Sequence, residues 1–149
     1  ANWKLNAGYT HLQARFRDAF LACTGTPCPV PTRPVAAGSR IPGVPENYGS
    51  LRLEHGDGSG WREGLTFTSV GSVTVNDIDT QRAAGYGLID LDAGYIFNLT
   101  GATRLDLSAR VNNLANRRYI GSVIVNDGNG RYFEPGPERS YMLGARLRF

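Results

Sequence analysis

Apolar and polar residues alternate one for one along four stretches of the chain. Trp3, Leu5, Ala7 and Tyr9 share one parity, against Lys4, Asn6, Gly8 and Thr10 on the other. The pattern returns with Ile89, Leu91, Ala93, Tyr95 and Phe97 against Asp90, Asp92 and Gly94. It returns again with Leu105, Leu107, Ala109 and Val111 against Arg104, Asp106, Ser108 and Arg110. The last stretch sets Tyr141, Leu143, Ala145, Leu147 and Phe149 against Met142, Gly144, Arg146 and Arg148. A period of two marks a strand with one apolar face. Two weaker strands are expected, one through Leu51 and Leu53. The other spans Trp61 to Val75, with Leu65, Phe67, Val73 and Val75 on one face, interrupted by Ser69 and Gly71. No segment has helical periodicity, so the chain reads as all-β, with about six antiparallel strands. Several exceed the usual strand length and approach the roughly ten residues that a tilted bilayer crossing needs.

The links separate two architectures that alternation alone leaves open. In a soluble sandwich the apolar parity packs a core; in a membrane barrel it faces lipid and the polar parity lines a lumen. Short Gly-rich links occur at His55 to Gly60 (HGDGSG) and Asn98 to Thr103 (NLTGAT), and long ones at Phe20 to Pro45, Asn76 to Gly85 and Ile120 to Glu138. Strict alternation of short and long suits an outer-membrane barrel, with short periplasmic turns and longer extracellular loops. The final strand then runs from a long loop to Phe149 at the periplasmic rim.

Composition agrees with strands and turns: 19 Gly and 8 Pro stand against a single Met. A mean hydropathy of -0.29 does not exclude a barrel, whose apolar residues are hidden by alternation. No run of apolar residues is long enough for a spanning helix. The formal charge of +3 is spread along the chain, with Arg117–Arg118 the only adjacent basic pair, which argues against nucleic-acid binding. Cys23 and Cys28, in CTGTPC, suit a small disulfide-closed loop in an oxidising compartment; half of a zinc site is the rival and needs two further ligands. His11 and His55 have no Ser or Cys nucleophile nearby, and Asp77, Asp79, Asn126 and Asp127 lack an ordered calcium-ligand spacing, so neither an enzyme nor a resident metal or cofactor is expected. Asn98-Leu99-Thr100 matches a glycosylation sequon, but Asn in a tight turn accounts for it.

The run Val111-Asn112-Asn113-Leu114-Ala115-Asn116-Arg117-Arg118-Tyr119 resembles the NLF(D/N)xxY segment near the end of TonB-dependent receptors. Asn126 to Tyr141, through Tyr132-Phe133-Glu134-Pro135-Gly136-Pro137-Glu138-Arg139, resembles their YxPxPGR ending, and Leu147-Arg148-Phe149 their terminal aromatic. Ile41-Pro42-Gly43-Val44-Pro45 is similar to the (L/I)PxxP segment where a long loop re-enters the barrel. Ala115 stands where Phe is usual, and Glu138 where Gly is usual.

The resemblance implies that residues 1–149 are the C-terminal part of a larger barrel of the 22-stranded, plugged type, with the plug and earlier strands upstream of Ala1. It implies a receptor in the bacterial outer membrane that takes up an iron–siderophore or similar scarce nutrient. A passive porin-like barrel and a secreted β-sandwich binding module are the alternatives. The implied partners are the lipid bilayer, the TonB complex through the plug, the barrel-assembly machinery and a small-molecule chelate. Phe149, with Tyr141, is the implied assembly signal, and an interfacial girdle role coexists with it. Arg33, Arg40, Arg82, Arg131 and Tyr132, in the long loops, suit the carboxylate or catecholate groups of a ferric chelate. Arg104, Asp106, Arg110, Arg146 and Arg148, with Asp90 and Asp92, are expected on the lumen wall as paired charges.

Overall fold

The computed structural model describes residues 2–23 and 25–149. Six long strands form one antiparallel sheet: β1 (Trp3–His11), β4 (Asn47–His55), β5 (Gly60–Val70), β8 (Tyr86–Asn98), β9 (Arg104–Asn112) and β12 (Ser140–Arg148), in that spatial order. Each pairs with its neighbour along the chain, which makes an up-and-down meander with β1 and β12 at its edges. Strands of nine to thirteen residues match the length of a tilted bilayer crossing.

Register explains the alternation. Leu5, Leu53, Leu65, Leu91, Val111 and Tyr141 stand opposite one another from strand to strand, forming one apolar row across all six. One residue along, Lys4, Glu54, Gly64, Asp92, Arg110 and Met142 form a row on the other face. A one-residue slip would exchange the faces, so the apolar pattern fixes the register. His55 and Glu63 break the apolar face at its short-turn end. They satisfy each other at 2.9 Å, and the Trp3 ring stacks on His55 at 4.6 Å between centroids.

The apolar face has no protein partner. Leu143 is 88% exposed and Leu5 66%, although both lie in the middle of regular strands. Among the described residues no second sheet packs against the first, so the sandwich architecture, which needs a facing sheet about 10 Å away, is absent. Among the described residues the buried apolar side chains are Ala22, Val35, Val75 and Ala83, and these lie in the long loops.

The links are those of a barrel wall, three long (12–46, 71–85 and 113–139) and two short. Each long link contains a small hairpin: β2 (Phe20–Ala22) with β3 (Arg33–Val35), β6 (Val73–Thr74) with β7 (Arg82–Ala83), and β10 (Ile120–Val123) with β11 (Phe133–Pro135). The strand expected from Trp61 to Val75 therefore ends at Val70. Gly71 turns the chain and donates its N–H to the Asn47 carbonyl at 2.8 Å. Val75 is consequently buried among the loops rather than presented on the apolar face.

Candidate functional site

The three long links interlock into a single cap at one end of the sheet. Gly43 N–H donates to the Thr74 carbonyl at 2.8 Å, and Asn126 N–H to the Val75 carbonyl at 3.0 Å, joining first loop to second and second to third. Asn126 also donates from Nδ2 to Asp77 at 2.8 Å and accepts the Asp77 N–H at Oδ1, 3.0 Å away. Gly128 lies so near Thr26 that a Cβ there would sit 2.5 Å from the threonine Oγ1, which joins the third loop to the first. Cys23 and Cys28 are disulfide-bonded with Cα atoms 5.9 Å apart, closing the small loop that makes this contact. The zinc alternative for these thiols is thereby overturned.

The cap separates the loop residues that sequence reasoning grouped together. Arg40 pairs with Glu46 at 2.8 Å, and Arg15 reaches the same carboxylate at 3.3 Å. Arg82 pairs with Asp79 at 2.7 Å. The Arg82 guanidinium, helped by the Thr74 hydroxyl, holds the Asp79 carboxyl below the usual carboxylate range, and Asp79 in turn raises Arg82. Arg33 and Arg131 are exposed and form no ion pair among the described residues. Tyr132 lines a crevice of about 170 Å³ with Cys23, Asn76, Asp77, Gln81 and Asp127. None of the four arginines lines it. Its volume is below the several hundred Å³ of an ordinary small-molecule pocket.

On the polar face, ion pairs reach over an intervening strand. Arg52 on β4 crosses β5 to contact both oxygens of Asp92 on β8, at 2.8 and 3.2 Å, and also binds Glu54 at 2.7 Å and Thr66 at 2.8 Å. It passes directly over Gly64, where a Cβ would stand 2.5 Å from Arg52 Nη2. Arg62 on β5 repeats the arrangement, passing over Gly94 on β8 to Asp106 on β9. Glycine inside a strand marks a close approach of this kind. Arg52 and Arg62 lie outside the set expected on the lumen wall. The available signal was a glycine on the neighbouring strand, opposite Arg62 at Gly94 and diagonal to Arg52 at Gly64, which needs the pairing to be known. Asp90, Asp92, Asp106 and Arg110 are paired as expected, with Arg110 at 3.4 Å from Asp90. Arg104, Arg146 and Arg148 have no ion-pair partner among the described residues.

The Asn-rich run after β9 works as a clamp. Asn113 is buried and left-handed at φ 50°, a conformation asparagine tolerates better than most residues. Its N–H donates to Asp90 at 2.8 Å, its Nδ2 to the Arg117 and Pro137 carbonyls, and its Oδ1 accepts the Arg117 N–H. Asn116, also at φ 50°, accepts the Arg139 N–H at 2.9 Å. These bonds tie the exit of β9 to the entry of β12. Neither Ala115 nor Glu138, the two departures from the motif, takes part in them. Tyr141 lies on the apolar face at this end, and Phe149 is 98% exposed at the other. Trp61, Tyr95 and Phe97 stack on that same face near the short turns, with centroids 5.2 and 4.4 Å apart, as an interfacial aromatic girdle requires.

Comparison with known proteins gives three findings. The model of the family described as "TonB dependent receptor-like, beta-barrel" matches residues 1–114. The chain is 30% identical over 141 residues to the ferrioxamine B receptor of Salmonella typhimurium, covering 92% of this chain and 18% of that receptor. Among solved structures, the siderophore receptor PiuA from Acinetobacter baumannii superposes with a TM-score of 0.79 at 22% identity, covering 96% of this chain and 19% of PiuA. The closed form of the ferric-catecholate import receptor Fiu from E. coli gives a TM-score of 0.68 at 22% identity, covering 96% of this chain and 18% of Fiu. The chain thus spans about one fifth of the length of the proteins it matches.

Proposed function

Since the chain belongs to the TonB-dependent receptor family of outer-membrane β-barrels, we propose that it is the C-terminal part of a receptor that imports an iron–siderophore across the outer membrane. The observation that carries this reading is the interlocked cap of three long loops over a wall whose other end has only short turns. A passive pore has no need for loops locked together, whereas a receptor needs a pre-formed surface, since ordering loops on binding costs affinity. The ferric ion is cargo inside its chelate, and the protein acts as a transporter, without an enzymatic step or a cofactor of its own.

In this reading the six strands supply wall, and further strands pair with the edges β1 and β12, because unpaired edges are not tolerated in lipid. The plug and its contact with TonB belong to the remainder of the protein, and energy passed through TonB rearranges the plug once the chelate is bound. Arg33, Arg131 and Tyr132 are the loop groups free to meet the ligand, while Arg40 and Arg82 brace the loops through their carboxylate partners. Phe149, with Tyr141, engages the barrel-assembly machinery before taking its place in the membrane.

The test is uptake of radiolabelled iron by iron-starved cells whose only receptor is the full-length protein. A trihydroxamate and a tris-catecholate chelate are supplied in turn. Import of one of them that stops when TonB is deleted is the expected result. Import independent of TonB would mean a passive pore, and no import of either would overturn the siderophore reading.

A further inference from the structure

Across the six strands the apolar face carries a single carboxylate, Glu63, and no lysine or arginine among the described residues. Its strand β5 lies between β4 and β8, and the strands beyond these, β1 and β9, are in the sheet as well, so no counter-ion for Glu63 is left to an adjoining strand. Glu63 Oε1 lies 2.9 Å from His55 Nδ1, while Oε2 accepts no hydrogen bond among the described residues. The side chain is 45% exposed on a face turned to lipid, where a charge is costly unless it is paired. Asp57, in the adjoining short turn, is acidic as well and supplies no counter-ion.

Beside Glu63 the apolar face is hollow. Ala93 stands directly opposite it in register, Ala109 opposite Ala93, and Leu143 opposite Ala109. The two alanines floor a trough of about 470 Å³ walled by Trp61, Tyr95, Phe97 and Leu107, and no charged side chain lines it. Glu63 is the fourth residue of β5 from its short turn, whereas Ala93 and Ala109 are the sixth of β8 and of β9 from theirs. The row therefore starts near the aromatic girdle at Glu63 and runs deeper into the hydrocarbon, as tilted strands require. A carboxylate at the interfacial end of an apolar trough complements an amphiphile with a cationic head and an acyl tail. An anionic head would meet Glu63 and Asp57 as like charges. We infer that Glu63 and the Ala93–Ala109 trough bind one phospholipid of the periplasmic leaflet that carries a primary-ammonium head, as ethanolamine does. The ammonium donates to Glu63 Oε2, and Trp61, two residues nearer the turn on the same face, offers its ring to the same cation. One acyl chain lies over the two alanines. His55, stacked on Trp3 at 4.6 Å, positions the carboxylate from the other side. This site goes beyond iron import: it needs the apolar face to lie in lipid and is indifferent to the chelate.

The experiment titrates the full-length receptor, extracted from outer membranes into detergent, with dioleoylphosphatidylethanolamine and separately with dioleoylphosphatidylglycerol. Native mass spectrometry reads the lipid retained, after each variant has shown its heat shift on gels. The native receptor is expected to retain the ethanolamine lipid at lower concentration than the glycerol lipid. Glu63→Gln should weaken the ethanolamine lipid on the order of fivefold, the most that a partly exposed ion pair contributes, without weakening the glycerol lipid. Ala93→Phe, which fills the trough and keeps the carboxylate, should weaken the ethanolamine lipid by a similar factor. If Glu63→Gln lacks the heat shift, Ala93→Phe alone is the test. Equal retention of the ethanolamine lipid by the native receptor and the folded variant overturns the inference. So does a native receptor that holds the glycerol lipid as tightly, which would make the trough an ordinary stretch of lipid-facing wall. Failure of the native receptor to import iron would count against the proposed function and leave these lipid titrations unchanged, so the two failures are distinguishable.

Discussion

Replacing Gly64 by alanine places a methyl group where the Arg52 guanidinium now lies. The added Cβ would stand 2.5 Å from Arg52 Nη2, 2.9 Å from its Cζ and 2.9 Å from Asp92 Oδ2, all well inside contact distance. Arginine is flexible and will move aside, but it then loses its two-oxygen contact with Asp92. The side chains of this pair are 30% and 31% exposed, between a surface pair and a buried one. A surface pair contributes up to about 1 kcal/mol and a charge-assisted hydrogen bond about 1.5–3 kcal/mol, so a loss of roughly 1–2 kcal/mol is expected. Against this, alanine inside a strand has a smaller conformational entropy cost than glycine, by about 0.5–1 kcal/mol. The two effects separate in an Arg52→Ala background. With no guanidinium to displace, Gly64→Ala should stabilise by roughly 0.5 kcal/mol, reversing its sign. The assay is urea unfolding of the full-length protein in lipid vesicles, followed by tryptophan fluorescence, for the two single variants and the double. A Gly64→Ala change that destabilises equally in both backgrounds would refute the account of Gly64 as the gap through which Arg52 reaches Asp92.

Asn113→Ala removes three side-chain hydrogen bonds and leaves alanine at φ 50°, which together should cost about 2–4 kcal/mol and lower the folded yield in outer membranes on heat-shift gels. The Asp79 pKa is depressed by Arg82, so its contribution is fully present above the ordinary carboxylate pKa of 3.8 and is lost as pH falls through the lower folded value. Hydrogen exchange in residues 72–85 should accordingly quicken below about pH 4, and Asp79→Asn should abolish that dependence. Reduction of the Cys23–Cys28 bond, or Cys23→Ser with Cys28→Ser, should expose the first loop to protease without shifting global unfolding, since the closed loop is short and its partners are loop residues. Deleting Phe149 should lower the amount of folded receptor while leaving the melting of the folded fraction unchanged; reduced melting with normal yield would make the ring only a girdle aromatic.

How much of this was legible in the sequence depends on the length of each pattern. The four clearest alternations became β1, β8, β9 and β12 because nine or more residues of period two leave no competing reading. The hairpins β2–β3, β6–β7 and β10–β11 are two to four residues per strand and carry no pattern of their own. The overrun of β5 to Val75 has the same origin. Val73 and Val75 keep the apolar parity of Leu65 and Phe67, but Gly71 turns the chain, and the two valines join β6 and the loop core instead. Loop chemistry was harder still. Arg40 and Arg82 look like ligand groups until Glu46 and Asp79 are brought beside them, and those pairings arise from tertiary contact. Asp77 and Asp127, 50 positions apart, meet in one crevice only because Asn126 locks the third loop to the second. The Asn113 motif was visible as a resemblance, and the structure supplies its physical content: a buried amide that clamps three backbone groups.

The central claim is that the unpartnered apolar face belongs in lipid. Its most direct test is the mobility of the full-length protein, extracted from outer membranes into detergent, on gels run with and without boiling. A band that resists detergent until boiled and then shifts is the predicted result, as a closed hydrogen-bonded barrel requires. Recovery in the soluble fraction with no shift would contradict it, since the face carrying Leu5, Leu91 and Leu143 would then be covered by protein.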